Sequence, residues 1–423
     1  MTLAMGGTRT VPVPDAIARE YILLALRLDQ HIPGLVDGYF GPADLKAQVD
    51  MEQLRSPGRL RDDAAALRLR LASEVAVPAR RGYLEAQLVA LGTQAAVLAG
   101  EELPYLDLVE RCFAYRPPRR DDRGFEEAAA RIDALLPGDG SLADRLADWD
   151  AQLVIPVERL PAVVDWLVAR YRERAAGLFG LPDGEDLRVS LVTDQPWSGY
   201  NWFDGGLRSR VDLNTDLPVR ATDLIHVVAH ETYPGHHLEH AWKEADLVGT
   251  RGLMEASILL INTPECLISE GLADLGPRFV APDDELVGML LSIFELGGLG
   301  IARDPATARD VAERSVALME PRREMAPIRG NAAIMRHADG LSHEAVLEYL
   351  VQVGRFPPAS AAKRLEFIEH PLWRTYVFVY SEGEDLLRRW LDSVPAADRP
   401  ARFGRLLHEQ VTPRSILDEL AAG

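Results

Sequence analysis

Residues 230–237 read His-Glu-Thr-Tyr-Pro-Gly-His-His, and the apolar run before them, residues 222–229, predicts a buried helix. The stretch offers three imidazoles and one glutamate carboxylate within eight residues. Histidine and glutamate side chains carried on a helix are how proteins assemble catalytic zinc sites. We therefore expect the fold to be arranged around this segment, with the remaining ligands on elements that pack against it.

The spacing departs from the common His-Glu-x-x-His pattern, in which two histidines four residues apart bind one zinc ion. The residue four positions after His230 is Pro234, which cannot bind metal. Because proline removes a helical hydrogen bond and glycine relaxes the backbone, a bulge at Pro234 and Gly235 could loop out two residues. That bulge would make His236 the second ligand. His237 is the alternative ligand, or else a contact to the substrate or to a ligand.

A third arrangement pairs His226 with His230, again four residues apart. Glu231 would then follow the second ligand, and the usual place of the general base would be lost. We therefore expect His226 to be a packed histidine or a support for a ligand, and His240 to lie at the surface.

Glu270 is the candidate third ligand, because a catalytic zinc site has three protein ligands and one position for water. It lies on a helix predicted near residues 265–276, and Asp274 follows one turn later on the same face. Asp274 could accept the free N–H of a ligating histidine, which fixes the ring and raises its basicity. The alternative is a surface helix that carries two acidic residues.

The signature in residues 230–237 resembles that of a bacterial group catalogued as domain-of-unknown-function family 885, His-Glu-x-x-Pro-Gly-His-His. That group is similar to the gluzincin metallopeptidases, in which two histidines and a glutamate bind zinc. The resemblance implies that residues 269–274 form the helix of the glutamate ligand. Asn214 and residues 380–383 also resemble the family's pattern. The Pro-Gly insertion departs from ordinary gluzincins and leaves the second histidine ligand open.

Together these residues predict metal-assisted hydrolysis. Zinc held by His230, by His236 or His237, and by Glu270 would lower the pKa of its bound water toward about 7. Glu231 would accept the proton of that water and pass it to the leaving amine. Manganese or cobalt could occupy the same donor set.

Residues 370–380 contain hydrogen-bond donors that could stabilise the oxyanion formed during such a reaction. Tyr380 is the first candidate because of the family resemblance, followed by Tyr376 and Arg374. Equally, the tyrosines could simply pack in a helical core with their hydroxyl groups satisfied.

Residues 208–214 resemble an edge strand next to the site. Extended peptides can bind by adding a strand to such an edge, so Asn214 and Arg210 could hold the substrate backbone or a terminal carboxylate. Solvated strand residues are the alternative interpretation of the arginines.

The periodicity of the chain predicts a mainly α-helical fold with a small β-sheet beside the motif helix, in the manner of a zincin. We expect a flexible tail over residues 1–13, an N-terminal helical region over 14–180, and a zincin-like catalytic region with C-terminal helices over 181–423.

The sheet is predicted from three segments of the middle of the chain. Residues 186–193 and 205–214 read as strands, and residues 199–206 between them read as a turn. Helices are expected to resume after the motif, the first of them near residues 251–262.

The composition excludes several classes of protein. A net charge of −19 over 423 residues argues against nucleic acid or an anionic membrane as the main partner. The sequence has no apolar run of about 18 residues that could span a membrane, and its first residues lack a signal-peptide pattern. A cytoplasmic location is therefore expected, with Cys112 and Cys266 as buried free thiols.

The expected function is that of a zinc-dependent hydrolase, a metallopeptidase-like enzyme that acts on peptides or small amides. One alternative is a metalloenzyme with other C–N bond chemistry, either a lyase or a hydrolase of non-peptide amides. The other is a catalytically silent helical binding protein. Phosphate-binding loops and a GxSxG nucleophile elbow do not occur in the sequence.

Overall fold

The computed structural model describes residues 12–195 and 197–422. The predicted tail up to residue 11 lies outside the described residues. The fold is mainly α-helical with two small β-sheets, which confirms the predicted fold class. Within the described ranges, no helix is both long and apolar enough to cross a bilayer.

The helices and strands follow one another along the chain with short connections. The strands are β1 (Val36–Tyr39), β2 (Asp186–Val192), β3 (Gly199–Gly205), β4 (Arg208–Asn214) and β5 (Ile258–Leu260). The helices are α1 (Ala16–Asp29), α2 (Ala43–Met51), α3 (Pro57–Glu74), α4 (Pro78–Leu98), α5 (Tyr105–Phe113), α6 (Asp122–Leu135), α7 (Leu142–Ala151), α8 (Leu160–Phe179), α9 (Ala221–Glu231), α10 (His236–Trp242), α11 (Pro264–Leu275), α12 (Pro277–Val280), α13 (Asp283–Leu296), α14 (Pro305–Glu324), α15 (Ile328–His337), α16 (His343–Gln352), α17 (Pro358–Glu369), α18 (Trp373–Tyr376), α19 (Val379–Asp392), α20 (Arg399–His408) and α21 (Pro413–Ala422).

A continuous cluster of buried apolar side chains extends from Ile17 in α1 to Ile416 in α21. The core therefore crosses the boundary expected at residue 180, and the division of the chain into two regions stays a prediction. Cys112 and Cys266 are both buried and free, as expected.

The three-stranded sheet has the order β2-β4-β3, with β4 parallel to β2 and antiparallel to β3. Two expectations are corrected here. Residues 199–206, read as a turn, contain β3, because its Tyr200, Trp202 and Asp204 alternate with its buried positions. The edge-strand interpretation of residues 208–214 is also wrong, because β4 is the central strand and its backbone is paired on both sides.

The two-stranded sheet joins distant parts of the chain, since β1 pairs antiparallel with β5 in a register that sets Val36 opposite Leu260. The helix predicted near residues 251–262 is therefore wrong. A 3-10 turn over Met254–Ser257 leads directly into β5, all three residues of which are buried. Short apolar runs such as this do not distinguish a buried strand from a buried helix by periodicity.

Helices α11 and α19 cross in direct backbone contact at two glycines. A Cβ atom added to Gly271 would lie 2.5 Å from the carbonyl carbon of Gly383, and one added to Gly383 would lie 2.4 Å from the carbonyl oxygen of Leu267. This close approach holds the helix that carries Glu270 against the helix that carries Tyr380.

Gly271→Ala is expected to lower the free energy of unfolding by about 1–3 kcal/mol, because the new methyl group overpacks the helix crossing. The matched control is Gly288→Ala in α13, where an added Cβ meets no atom within 4 Å. That control is expected to be neutral or to stabilise by up to about 1 kcal/mol through helix propensity. Urea unfolding of the two variants and the wild type measures the difference, and equal effects of both substitutions would contradict the close crossing.

Candidate metal centre

The motif segment is two helices joined by the four residues 232–235. Helix α9 ends at Glu231 and α10 begins at His236. Between them, Gly235 N–H donates to Ala229 C=O at 3.1 Å and Leu238 N–H donates to Thr232 C=O at 3.3 Å. Both bonds span six residues instead of the four of an α-helix, so two residues are looped out.

Glycine is required at the bulge because the chain folds back onto α9. A Cβ atom on Gly235 would lie 1.8 Å from the His230 carbonyl oxygen and 2.6 Å from that of Ala229. The preceding Tyr233–Pro234 peptide bond is cis. The bulge brings the His236 ring within 4.7 Å of the His230 ring, measured between centroids, with the two planes at 87°.

His230, His236 and Glu270 form one group in which a nitrogen from each ring and a carboxylate oxygen lie within 4.8 Å of one another. Glu270 Oε2 is 3.5 Å from His230 Nε2 and 3.9 Å from His236 Nε2. This oxygen is buried and has no hydrogen-bond partner among the described residues. A buried carboxylate oxygen without a donor is unfavourable, and a cation between it and the two Nε2 atoms would satisfy it.

Asp274 orients the ring of His230 through its Nδ1 atom. Its Nδ1 lies 2.9 Å from Asp274 Oδ1, and the half-exposed His226 places its Nε2 3.1 Å from the same oxygen. Burial raises the pKa of Asp274, but the hydrogen bonds with both histidines outweigh it and hold that pKa below its usual range. Asp274 therefore fixes the ring so that Nε2 faces Glu270.

His236 is supported by a buried chain of charges. Its Nδ1 is 3.3 Å from Ser269 Oγ and 3.6 Å from Glu239 Oε2, and the Ser269 hydroxyl donates to Glu239 at 2.6 Å. The ammonium of Lys243 lies 2.7 Å from Glu239 and 2.6 Å from Glu265. Buried ionic chains of this kind keep their members in one geometry when every group is paired.

Two further groups of potential ligands are engaged in other contacts. In the group of His226, His230 and Asp274, the Asp274 oxygen already accepts from both rings. In the group of His236, Glu239 and His240, the Glu239 carboxylate already binds Ser269 and Lys243. Of the three ligand groups found in the described part of the chain, that of His230, His236 and Glu270 is therefore the one that fits a divalent cation.

His240, expected at the surface, is instead 6% exposed and stacks on the ring of His236 at 5.6 Å. Burial is the main reason that its pKa falls to about 3. The helix α10 turns this residue inward because it packs between β3 and the rest of the core, and a histidine pattern alone does not reveal that packing.

His237 lies outside the ligand group. Its Nε2 is 2.9 Å from Glu185 Oε2, its Nδ1 is 2.9 Å from Ser209 Oγ, and its side chain is fully buried. Since both ring nitrogens are hydrogen-bonded on the side of β4, neither is available to an ion at Glu270. The structure thus separates the two candidates for the second ligand and places only His236 beside His230.

Glu231 and the tyrosines share one cavity with the ligand group. The cavity has a volume of about 280 Å³, and it is lined by His230, Glu231, His236, Glu270, Tyr376 and Tyr380 together with residues of β1, β3, β5 and α17. Burial raises the pKa of Glu231 above its usual range, although the neighbouring imidazoles act against it. A carboxylate with a raised pKa is a stronger base at the same position.

The two tyrosines have different contacts. The Tyr376 hydroxyl donates to Glu270 Oε1 at 2.5 Å, which orients the carboxylate and leaves Oε2 toward the histidines. Tyr380 packs against Tyr376 with centroids 5.6 Å apart. Arg374, the third candidate, is not among the residues that line the cavity in the described ranges; its carbonyl accepts from the Tyr105 hydroxyl at 2.5 Å.

The predicted substrate contacts on β4 have other partners. Asn214 donates from Nδ2 to the carbonyls of Gln195 and Trp197, at 2.8 and 2.9 Å, and so ties these two residues to β4. Arg210 pairs with Asp204 at 2.9 Å and is more than half exposed. Among the described residues, neither belongs to the cavity wall.

The cavity also contains residues that the sequence did not single out. Asp37 of β1 and Tyr200 and Asn201 of β3 line it. Asp37 is in contact with solvent, but it lies within the cavity and is surrounded by protein atoms. The resulting desolvation raises the pKa of its carboxyl group. The signal for these residues is long-range strand pairing, which a local pattern does not contain.

Comparison with known proteins finds resemblance at the level of structure alone. No family model and no curated protein matches the sequence. A candidate lipoprotein from Colwellia psychrerythraea aligns at 13% identity and a TM-score of 0.47, over 86% of this chain and 66% of that one. The chain thus spans a little less than two thirds of that protein.

Two further solved structures resemble this chain. A candidate lipoprotein of unknown function from Shewanella oneidensis aligns at 10% identity and a TM-score of 0.46, over 95% of this chain and 82% of that one. The protein BsuCP aligns at 11% identity and a TM-score of 0.39, over 96% and 93% of the two chains. All three TM-scores are too low to assign a family or an activity.

Replacing His236 and His237 one at a time distinguishes a metal ligand from a residue that supports the structure. His236→Ala is expected to reduce bound zinc well below one equivalent, because it removes an Nε2 that faces Glu270. His237→Ala is expected to retain the metal and to lower the free energy of unfolding by about 1–3 kcal/mol, because it leaves buried partners unsatisfied. Elemental analysis after dialysis, together with urea unfolding, measures both properties. Loss of metal from His237→Ala alone would reverse the assignment.

Glu185 gives a pH-dependent contribution to stability. Burial raises its pKa, but hydrogen bonds from His237 and Tyr233 outweigh it and lower the pKa from 4.5 to about 2. A depressed carboxyl pKa contributes stability that is present above the unfolded value and is lost as the pH falls through the folded value. The difference in unfolding free energy between the wild type and Glu185→Gln is therefore expected to have its full size at neutral pH. It is expected to decrease as the pH falls below 4.5. A difference independent of pH would contradict this account.

Proposed function

We propose that this protein is a metal-dependent hydrolase, with zinc as the first candidate metal and a peptide or small amide as substrate. The observation that carries the proposal is the buried Oε2 of Glu270, which has no hydrogen-bond partner within residues 12–195 and 197–422 and faces Nε2 of both His230 and His236. Two imidazoles and one carboxylate are the donor set of many catalytic zinc sites. The resemblance of residues 230–237 to family 885 and to gluzincins supports the same assignment.

The residues around the donor set have separate roles in the proposed hydrolysis. When bound, zinc or another divalent cation supplies a Lewis acid that lowers the pKa of water toward about 7 and polarises a carbonyl. Glu231, which lines the same cavity, accepts the proton from water and transfers it to the leaving nitrogen. Asp274 and Ser269 hold the two imidazoles, so their Nε2 atoms stay directed at Glu270.

Tyr380 is the residue proposed to stabilise the oxyanion. Both tyrosines line the cavity, but the Tyr376 hydroxyl is already hydrogen-bonded to Glu270, whereas Tyr380 is carried by the next helix, α19. Burial raises the pKa of the Tyr380 hydroxyl well above its usual range, so the group stays protonated and can donate a hydrogen bond.

We also propose that the protein is cytoplasmic, as expected from the sequence.

Glu231→Gln is expected to lower kcat by about 100- to 10,000-fold while zinc stays bound, since general acid–base catalysis contributes about that factor. Glu366→Gln, on the exposed face of α17, is the matched control and is expected to leave the rate unchanged. The assay uses zinc-loaded protein and a panel of dipeptides and small amides.

Three outcomes would count against this function. Zinc content near zero in protein purified without chelator would favour the silent binding protein. Turnover of non-peptide C–N compounds alone would favour the alternative metalloenzyme. Unchanged turnover in Glu231→Gln would remove the proposed base.

A further inference from the structure

Asp37 supplies a carboxylate to the wall of the same cavity that contains the metal ligands. It is carried by β1, and the Tyr200 hydroxyl donates to its Oδ1. Within residues 12–195 and 197–422, it forms no ion pair with a lysine, arginine or histidine, and it belongs to none of the metal-ligand groups. A carboxylate has about four acceptor positions, so most of its capacity is unused.

Asn201 supplies a second acceptor to the same cavity. Its Nδ2 donates to the Glu231 carbonyl at 2.8 Å, which fixes the orientation of the amide. The residue is only 9% exposed, and in the part of the chain that the structure describes its Oδ1 is buried without a donor. An unsatisfied buried acceptor is unfavourable, and a donor on a ligand would relieve it.

The charge balance of the cavity favours a cationic ligand group. Lys243 lines the cavity, but its ammonium is bound between Glu239 and Glu265 and does not neutralise Asp37. The rings of Trp197 and Tyr200 lie 5.5 Å apart and line the same cavity as Asp37, and aromatic faces attract cations.

We propose that Asp37 and Asn201 bind the free amino group of the substrate, so that the hydrolase acts on short peptides and amino-acid amides at their amino terminus. An ammonium group has three N–H donors, enough to bond to more than one acceptor of this cavity. The cavity of about 280 Å³ lies at the small end of ligand pockets, which favours short substrates. This inference rests on the proposed hydrolase function and adds the substrate class.

Four forms of one dipeptide test the inference on the zinc-loaded wild type: alanyl-phenylalanine, its N-acetyl form, its C-terminal amide, and the form blocked at both ends. Both forms with a free amino group are expected to show kcat/KM values at least about 10-fold above their acetylated counterparts, because a hydrogen bond to a charged group is about twice as strong as a neutral one. Equal or faster cleavage of the acetylated forms would overturn the inference.

Asp37→Asn tests the residue itself without changing its size. The variant is expected to raise KM about 10-fold for the free-amine forms and to leave the acetylated forms unaffected. Asp50→Asn is the matched control, since Asp50 is exposed on the neighbouring α2. Circular dichroism and thermal unfolding verify that both variants fold. An equal effect of Asp37→Asn on free and acetylated forms would contradict the amino-group contact.

Calorimetric titration separates this inference from the proposed function. Phenylalaninamide is expected to bind the metal-free wild type more tightly than N-acetylphenylalaninamide, and Asp37→Asn is expected to remove the preference. Cleavage of none of the four dipeptides, with this preference intact, would overturn hydrolysis and support the amino-group site. Cleavage without any preference in binding or in rate would overturn the amino-group site alone.

Discussion

The backbone contact between Gly235 and the carbonyl group of His230 is the constraint on which the site depends. An uninterrupted helix would carry the second histidine away from the first, at about 1.5 Å of rise per residue. The two-residue insertion cancels that displacement, because the chain folds back over the last turn of α9. His236 then occupies the place that the fourth residue after His230 has in an ordinary His-Glu-x-x-His helix. No side chain larger than hydrogen fits at position 235.

Contacts with surrounding polar and charged side chains fix this geometry. Asp274 holds one imidazole, Ser269 and Glu239 hold the other, and Tyr376 holds the carboxylate of Glu270. Each ligand is thus oriented by at least one partner that is buried or partly buried in the helical core. The contact between α11 and α19 places Glu270 and Tyr380 on adjacent backbones. Among the residues that the structure describes, Glu270 Oε2 is left buried without a donor, and the preceding contacts direct the two Nε2 atoms toward it.

The local parts of this site were predictable from the sequence, and the long-range parts were not. The helix before the motif, the break at Pro234-Gly235 and the helix with Glu270 and Asp274 each follow from spacing and residue type within a short window. The position of β4 in the middle of its sheet and the pairing of β1 with β5 depend on contacts across many residues. Asp37 reaches the cavity only through that pairing, so its role has no local signal. The role of His237 was likewise not predictable from a local pattern, because its partner Glu185 is distant in sequence.

The most direct measurement is anomalous diffraction at the zinc edge from crystals of the zinc-loaded protein. The account predicts a single strong peak bounded by His230 Nε2, His236 Nε2 and Glu270 Oε2, with His237 still bonded to Glu185. A principal peak at either of the other histidine groups, or none at Glu270, would contradict it.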